Sequence, residues 1–433
     1  MRILFLIDRV LPVGASGIAV LQVKKASDAG HHTTLLTTFE SRLDSTLQAC
    51  LDDVIFVAGM GNSKVHNLET ELENVVRDLA HRVDFGSYDI VISHNFGRFG
   101  GPRILKLACQ QSPLILWCHD EYPWAGYHYE FQNHAGELIR TFEPWDEGRI
   151  GAAAHLSELA DLRQAIFVSP SLWLHQRVAA VVASCKGIVP VHMPNGIDLE
   201  EFSSGSTFAP FEKTGSGLRI LLIGTLGDAR KNIIYGLKEL GEALSPQQAA
   251  MCEIVHVGGN PDRYKTPELI RATALRETSA FLRNNGVPGH IVSALYSAGL
   301  VNSQHAIATL MRGAEIVIHL SQAENFPTVC LEARAAGASV VASDAGGTRE
   351  TLGPDDFLVP LPLEEGAIAP ILSQLIESHG DPVLNIPAIP EISLPVGNTT
   401  VPPVTSVNRM WAQLEELVSA ATGAPCNSQW ATT

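Results

Sequence analysis

The chain has 433 residues, of which 45% are hydrophobic and 18% are charged, and its formal net charge is −16. Such a length suits two domains of about 200 residues each, and the acidic balance argues against binding to nucleic acid and against a strong electrostatic hold on an anionic membrane. The seven cysteines are scattered and odd in number, so they indicate neither a disulfide framework nor a zinc site, and they favour a reducing, cytoplasmic location. No apolar run approaches the roughly 20 residues of a membrane span.

The first predicted unit is a strand, a helix and a second strand. Arg2–Ile7 is a short apolar run, a helix is expected to end near Ala29, and Thr33–Thr38 is rich in β-forming residues. This order is typical of a doubly wound parallel sheet. Gly14 and Gly17 are expected in the first connection, where glycine lets the backbone approach a ligand, although their spacing is equally consistent with a simple turn.

Two predicted strands that follow end in histidine. Strands are expected at 54–57, 89–93 and 113–118, with helices near 64–83 and 99–110 between them. His94 follows the second of these strands, and His119 and Asp120 follow the third. Ligands of such sheets bind at the carboxyl ends of the strands, which makes these side chains candidates for substrate contact. A histidine at a strand end can also be purely structural.

Aromatic residues are concentrated after His119. The segment 117–145 holds eight of the chain's 28 aromatic residues: Trp117, Tyr122, Trp124, Tyr127, Tyr129, Phe131, Phe142 and Trp145. Aromatic faces stack on the C–H faces of sugars while carboxylates bind the hydroxyls, so Asp120, Trp124 and Tyr127 are predicted to bind an acceptor sugar. The alternative is a small aromatic core that anchors a long loop.

A second domain is predicted to begin with the strand Leu218–Ile223. The loop after it carries Arg230 and Lys231 at the start of a helix expected over 232–244. Cations at a helix N-terminus oppose the helix dipole and need a compensating anion, for which a diphosphate is suitable. A strand at 254–257 ends in Gly258, and a weaker strand is predicted at 290–294.

The most informative stretch is Ser321–Glu350. Glu324 follows an apolar run, and Glu332 lies eight residues later inside a short predicted helix that Pro327 begins and Gly337 ends. The free N–H groups at the helix start could bind a phosphate, and a carboxylate at Glu332 could accept hydrogen bonds from two vicinal hydroxyls. The predicted donor contacts of this loop are Asn325, Phe326, Pro327 and Thr328, in addition to the two glutamates.

This stretch resembles the donor-site signature of family 4 of the glycosyltransferases, which are retaining enzymes of the GT-B fold. The shared features are Ser-x-x-Glu-x-Phe-Pro, seven residues between the two glutamates, and Val-Val-Ala-Ser-Asp-x-Gly-Gly-x-x-Glu. The segments at 167–173 and 193–202 resemble further landmarks of the family, in the same order. The resemblance therefore covers nearly the full length of the chain.

The resemblance implies an α/β protein with two Rossmann-like, doubly wound parallel-sheet domains that face a central cleft. Residues 1–203 would bind the acceptor and residues 204–405 the nucleotide sugar. Residues 406–433 would form a helix that crosses back to the first domain, followed by a flexible tail. Before that helix, six prolines in 382–403 predict an extended crossing.

The resemblance also implies the roles of single residues. Glu324 would hold the sugar hydroxyls, Glu332 the ribose, Lys231 the departing diphosphate and His119 the far side of the sugar. Gly14 would lie near the donor phosphates, Gly17 near the acceptor, and Gly258 on the wall that binds the base. His94 is a candidate acceptor contact from its strand-end position alone. No metal or other cofactor is expected, and the donor would be a UDP- or GDP-sugar.

The segment that begins His119-Asp120 further resembles a subgroup that acts in bacterial surface-polysaccharide assembly. The acceptor would be a glycan, a lipid-linked molecule or a small molecule, and membrane contact and oligomeric state stay open. The family usually carries an arginine where this chain has Thr225. Two alternatives therefore remain: a nucleotide-sugar epimerase or hydrolase of the same fold, and a catalytically silent GT-B subunit that binds donor.

Overall fold

The computed structural model describes residues 1–10, 14–39, 41, 43–60, 67–132, 136–142, 150–213, 215–258, 278–299, 301, 303–380 and 404–423. The chain divides into two compact units, of which the first comprises 1–130, 139–197 and 405–433 and the second 131–138 and 198–404. The division falls between Ile197 and Asp198, a few residues before the predicted boundary. The predicted proline-rich crossing and most of the predicted tail lie outside the described residues.

The first unit is built on a parallel sheet. Up to residue 200 the strands are β1 Arg2–Leu6, β2 His32–Thr38, β3 Asp53–Val57, β4 Ile90–Ser93, β5 Leu114–Trp117, β6 Tyr129–Gln132, β7 Leu138–Thr141, β8 Ala165–Ser169 and β9 Ile188–His192. Of these, β6 and β7 form a separate two-stranded pair whose residues are divided between the two units. In the described residues the sheet has seven strands in the order β3-β2-β1-β4-β5-β8-β9. Because helices cover both faces, central strands such as β1, β4 and β5 are largely apolar and buried on both sides.

The alternation of side chains along β1 shows how this sheet separates two cores. Leu4 and Leu6 belong to the hydrophobic cluster on one face, and Ile3 and Phe5 belong to the cluster on the other face. Successive residues of a strand point to opposite faces, so a fully apolar strand contributes to both cores. Trp411 of the C-terminal helix packs in the second of these clusters.

The helices of the first unit are Gly14–Asp28, Ser45–Ala49, Leu68–Arg82, Pro102–Cys109, Tyr122–Ala125, Ala152–Ala160, Leu172–Val182 and Val407–Thr422. Ser171 illustrates why they begin where they do, since its side chain accepts a hydrogen bond of 3.0 Å from the Leu174 N–H. Short 3-10 helices lie at Phe85–Ser87 and Gly97–Phe99 in this unit, and at Ala209–Phe211 and Thr348–Thr351 in the second unit. No helix in the described ranges is long and apolar enough to cross a membrane.

The second unit repeats the architecture with its own parallel sheet. Its strands are β10 Arg219–Ile223, β11 Glu253–Val257, β12 Leu295–Gly299, β13 Ile316–His319, β14 Ser339–Ser343 and β15 Phe357–Val359. In the part of the chain that the structure describes, the order is β12-β11-β10-β13-β14-β15. Its helices are Leu199–Ser204, Ile233–Ala243, Pro246–Met251, Gly289–Ala294, Gln304–Arg312, Thr328–Ala335 and Ala369–Gly380. Two parallel-sheet α/β domains confirm the predicted fold class.

One predicted strand is wrong. Residues 290–294 form a helix, and the strand β12 follows it directly. Ile291 and Val292 are buried, and a short apolar run of this kind does not by itself distinguish a helix from a buried strand. Pro288 caps the start of the helix, and this signal favoured the helix.

Candidate functional site

The loops at one edge of the second sheet are joined to each other. Strands β10 and β13 are parallel neighbours, so the loops that follow them leave the sheet at the same edge. Asn232 donates from Nδ2 to the carbonyl oxygen of Leu320 at 2.9 Å, and Gln322 donates to Asn232 Oδ1 at 3.1 Å. The Gln322 N–H also donates to the carbonyl oxygen of Arg230 at 2.7 Å. These bonds hold residues 230–232 and 320–322 in one fixed arrangement.

An ion pair lies within this arrangement. Lys231 Nζ donates to Glu324 Oε1, and His319 Nε2 lies 3.3 Å from the same oxygen. Glu324 is 8% exposed. Burial alone would raise the pKa of Glu324, but Lys231, His319 and Arg230 together hold it well below its usual range. Glu324 is therefore a buried, ionised carboxylate, and its partner Lys231 lies more than 90 residues earlier in the chain.

Arg230 has its charge partner within its own loop. Its backbone N–H donates to Asp228 Oδ1 at 2.9 Å, and its guanidinium Nη2 lies 3.4 Å from Asp228 Oδ2. Thr225 begins the same turn, since its carbonyl oxygen accepts from the Asp228 N–H at 3.1 Å. Both cations thus have carboxylate partners, Glu324 for Lys231 and Asp228 for Arg230, without a bound ligand.

The helix Thr328–Ala335 begins beside Glu324. Pro327 occupies its cap position, and no side chain caps the first turn, so this end keeps N–H groups that can bind an anion. Glu332 lies in the second turn and is partly buried. Burial raises the pKa of Glu332 to about 7, although a hydrogen bond with Thr328 opposes the shift.

The remaining predicted donor residues lie around this helix start. Asn325 is 3% exposed, Pro327 is buried, and Phe326 and Thr328 are partly buried. The loop after β14 contributes a backbone contact, because the Gly347 N–H donates to the Glu324 carbonyl oxygen at 3.3 Å. The structure therefore brings this part of the predicted set together along one loop.

Gly258 has a structural reason to be glycine. A Cβ atom at this position would lie 1.8 Å from the carbonyl oxygen of Gly224, so any residue other than glycine would clash with the backbone there. His256 also binds this carbonyl, with Nε2 at 2.8 Å, and its Nδ1 lies 3.1 Å from Ser297 Oγ. Close backbone packing between the ends of β10 and β11 explains Gly258 whether or not it lines a ligand site.

In the first unit, the two predicted histidines form a hydrogen-bonded row. His94 Nδ1 lies 2.9 Å from His119 Nε2, and His94 Nε2 lies 3.0 Å from Gln22 Oε1. The rings of the two histidines stack with centroids 5.2 Å apart. Burial, and secondarily His119, lowers the pKa of His94 well below its usual value, and burial lowers that of His119 to about 4. Both rings are neutral at pH 7.

The structure gives four predicted residues of this unit surroundings other than those expected. His94 is 2% exposed and contacts His119, so it does not form part of an open acceptor surface. Trp124 is 5% exposed and packs in the hydrophobic core of the unit, which supports the alternative of an aromatic core for this residue. Gly14 and Gly17 lie in the first turn of the helix Gly14–Asp28 rather than in a loop before it.

Asp120 and Tyr127 keep partly open positions. Asp120 Oδ2 lies 2.6 Å from His128 Nδ1, and Asp120 Oδ1 accepts from the Tyr122 N–H at 3.0 Å. Tyr127 is partly buried, and the Arg140 guanidinium lies 5.2 Å from the centre of its ring. Of the predicted aromatic surface, Trp145 lies outside the described residues.

Sequence reasoning missed three residues that complete these arrangements. His319 is the single polar residue of β13 and stands at its carboxyl end, which could have marked it as a site residue. Asp228 lies three residues before Lys231, and an acidic residue beside two cations is a recognisable signal. Gln22 gives no such signal, because a glutamine in a predicted helix is ordinarily exposed.

The chain is similar to known glycosyltransferases in sequence. Residues 217–378 match the family model described as Glycosyl transferases group 1. The chain is 24% identical to the alpha-1,3/1,6-mannosyltransferase alg-2 of Neurospora crassa over 295 residues, which cover 65% of this chain and 60% of that protein. It is 25% identical to a phosphatidyl-myo-inositol mannosyltransferase of Mycobacterium tuberculosis over 249 residues, or 54% and 59% of the two chains. The chain thus spans about 60% of the length of these relatives.

Similarity to solved structures extends over nearly the whole chain. Anabaena Alr3699/HepE, solved in complex with UDP and glucose, superposes with a TM-score of 0.64 at 16% identity and covers 97% of this chain and 100% of its own. Sucrose-phosphate synthase from Thermosynechococcus elongatus superposes with a TM-score of 0.65 at 17% identity, and the match covers 98% and 100% of the two chains. At these identities the likeness establishes the fold.

Proposed function

We propose that this chain, a family 4-like protein with the GT-B fold as its motifs predict, is a glycosyltransferase. It would move a hexosyl group from a nucleotide sugar to a glycan, lipid-linked or small-molecule acceptor, with retention of the anomeric configuration. The observation that carries this proposal is the Lys231–Glu324 pair beside the uncapped start of the helix Thr328–Ala335. It joins a cation, a buried carboxylate and free backbone N–H groups at the carboxyl edge of a parallel sheet.

These groups suit a sugar diphosphate. As the glycosidic bond breaks, the departing diphosphate gains negative charge, and groups already directed at it stabilise the transition state more than the ground state. Lys231 and the helix start supply positive potential for the phosphates. Glu324 supplies an acceptor for sugar hydroxyls, because it stays ionised at neutral pH. Each group thus matches a different part of the donor.

The relatives support the donor class. One solved neighbour, Anabaena Alr3699/HepE, is described in complex with UDP and glucose and, in a separate structure, with UDP-glucose. The curated relatives are named as mannosyltransferases. By analogy, the proposed donor is a UDP- or GDP-hexose, and Glu332 would hold its ribose hydroxyls.

The first unit is proposed to bind the acceptor. His119, being neutral at pH 7, would contact sugar hydroxyls by hydrogen bonding and without a charge. His94 would hold the His119 ring in place, because its Nδ1 is hydrogen-bonded to His119 Nε2. Asp120 and Tyr127 would bind the acceptor itself.

The proposed reaction needs no metal ion, and its proposed location is the cytoplasm. The support for metal independence is that Lys231 and the helix start already offer positive potential for a diphosphate. A chelator-treated assay with an α-linked donor, followed by NMR of the product's anomeric proton, tests both this statement and retention. A β-linked product would overturn retention, and activity that EDTA removes and Mg²⁺ or Mn²⁺ restores would overturn metal independence.

A catalytically silent donor-binding subunit is the second candidate. Thr225 stands where the family usually has an arginine. Of the two cations expected to bind phosphate, Arg230 and Lys231, Arg230 already contacts Asp228, with its guanidinium 3.4 Å from the carboxylate. An epimerase or hydrolase of the same fold would cleave a donor without any acceptor.

A screen of UDP-, GDP- and ADP-sugars distinguishes these candidates. Binding is measured by thermal shift, and turnover by release of nucleotide with and without acceptor glycans. A glycosyltransferase binds one donor and releases nucleotide faster with an acceptor, and Glu324→Gln abolishes this release. The matched control Glu365→Gln changes an exposed glutamate of the same unit. Binding without any release and with the recovered nucleotide sugar unchanged identifies a silent subunit. Release that no acceptor accelerates identifies a hydrolase, and a recovered nucleotide sugar whose sugar has changed identifies an epimerase.

A further inference from the structure

His319 is a buried histidine directed at the proposed catalytic carboxylate. It ends β13 and is 4% exposed, and its Nε2 lies 3.3 Å from Glu324 Oε1. Lys231 contacts the same oxygen. Within the described ranges of the chain, no side chain is bonded to the other carboxylate oxygen, Oε2. The two protein partners therefore converge on one oxygen of Glu324.

We propose that His319 is a positioning residue, which holds Oε1 of Glu324 so that Oε2 can accept a hydrogen bond from a hydroxyl of the transferred sugar. This inference rests on the proposed function, since it gives His319 a task in recognising the sugar of a nucleotide-sugar donor. His319 would touch Glu324 and not the substrate.

A second holder is required because Lys231 has a competing partner. The diphosphate of a donor attracts the Lys231 ammonium, which then shares its charge between phosphate and carboxylate. Glu324 would be free to rotate if lysine alone held it. His319 lies at the end of a central strand and is buried, so it keeps its place when Lys231 turns toward the phosphates.

The surroundings of His319 indicate which of its two ring nitrogens carries the proton. Burial lowers the pKa of His319, with Glu324 opposing the shift, so the ring is neutral at pH 7 and carries one N–H. A neutral ring that turned a bare nitrogen toward a carboxylate would place two acceptors face to face. The proton therefore lies on Nε2, which can donate to Glu324.

Packing alone does not explain a histidine at this position. The other residues of β13 are Ile316, Val317 and Ile318, all buried and apolar. In the described part of the chain, the buried Nε2 makes no full hydrogen bond, and the carboxylate of Glu324, with Oε1 3.3 Å away, is its ion-pair partner. A buried nitrogen in this state costs free energy, so a role at Glu324 accounts for its presence where an aliphatic residue would pack better.

Calorimetric titration of the full chain with two pairs of ligands tests the proposal. UDP is compared with UDP-glucose, and GDP with GDP-mannose, because only the second member of each pair carries a sugar for Glu324. His319→Phe removes the N–H and keeps a planar ring. We expect it to weaken binding of the sugar nucleotide about tenfold and leave the nucleoside diphosphate unchanged. His319→Gln, which can donate again, should restore most of the loss.

His290→Phe is the matched control, since this histidine of the same unit is bonded to the Leu244 carbonyl oxygen and should affect neither ligand. If His319→Phe weakens both members of a pair equally, or neither, the positioning role is overturned while the proposed function stands. If the wild type binds none of the four ligands, the proposed function fails and the inference fails with it. Should the phenylalanine variant not fold, His319→Met carries the same expectation.

Discussion

The two units place histidines at equivalent edges of their sheets but give them different electrostatic surroundings. In the first unit, His94 binds both His119 and Gln22, and the two histidines have lowered pKa values. In the second, His319 lies beside the ionised Glu324 and its lysine. The first arrangement is neutral and suits hydroxyl groups, while the second is charged and suits a sugar diphosphate. The same strand-end position thus serves two kinds of recognition according to its neighbours.

The largest expected effect is the loss of sugar transfer when His119 is removed. We predict that His119→Ala lowers transfer by about 100-fold or more while donor affinity stays within a few-fold of the wild type. The reason is that His119 belongs to the first unit, whereas the proposed donor loops belong to the second. Titration with the donor and an assay of transfer measure the two effects. Equal losses in both would instead assign His119 a structural role.

Removal of Lys231 should break the charged arrangement. We predict that Lys231→Ala lowers kcat by about 100-fold and donor affinity much less, because the leaving diphosphate carries its greatest charge late in bond cleavage. Steady-state kinetics with saturating acceptor separates the two constants. Lys238→Ala, at an exposed lysine of the neighbouring helix, is the control. A change in affinity with kcat intact would contradict the leaving-group role.

Glu332 should make donor binding depend on pH. Its pKa is raised to about 7 by burial, and a ribose hydroxyl donates to the ionised form, so affinity should rise between pH 6 and pH 8. Glu332→Ala should lose about 1.5 to 3 kcal/mol of binding at pH 8, and Glu332→Gln should bind with little dependence on pH. A wild-type affinity that is flat over this range would contradict the ribose contact.

The raised pKa of Glu332 should also make the free energy of unfolding depend on pH. Because the folded pKa lies above the usual value of 4.5, the protonated form favours the folded state. Its stabilising contribution is complete below pH 4.5 and disappears as the pH rises through 7. The difference in unfolding free energy between the wild type and Glu332→Gln, measured by urea denaturation from pH 5 to 8, should follow this course.

The smallest expected effect concerns the aromatic segment. We predict that Tyr127→Ala raises the acceptor KM a few-fold and leaves slow donor hydrolysis and the melting temperature nearly unchanged, since the ring is partly open. Trp124→Ala is the contrasting variant, because its side chain is 5% exposed and its removal should cost about 3 to 5 kcal/mol of folding free energy. If Tyr127→Ala is equally destabilising, the whole segment is a core element.

Much of the fold follows from the sequence. Strands such as β1 and β13 are recognisable because a parallel sheet covered on both faces demands short, continuous apolar runs. The helix at 328–335 is recognisable from a proline at its start and a glycine past its end. The 290–294 run predicts its structure poorly, because its five residues satisfy helix and strand patterns alike.

The sequence by itself determined the two-sheet architecture and the candidate residues at the strand ends, because both depend on local patterns of polarity and on the rule that parallel strands end at one edge. Only the tertiary structure decided which of these residues meet. Lys231, His319 and Glu324 come together because β10 and β13 are neighbours, and the burial of Trp124 depends on residues far away in the chain. Contacts and desolvation arise from the packing of distant segments, and no local pattern encodes them.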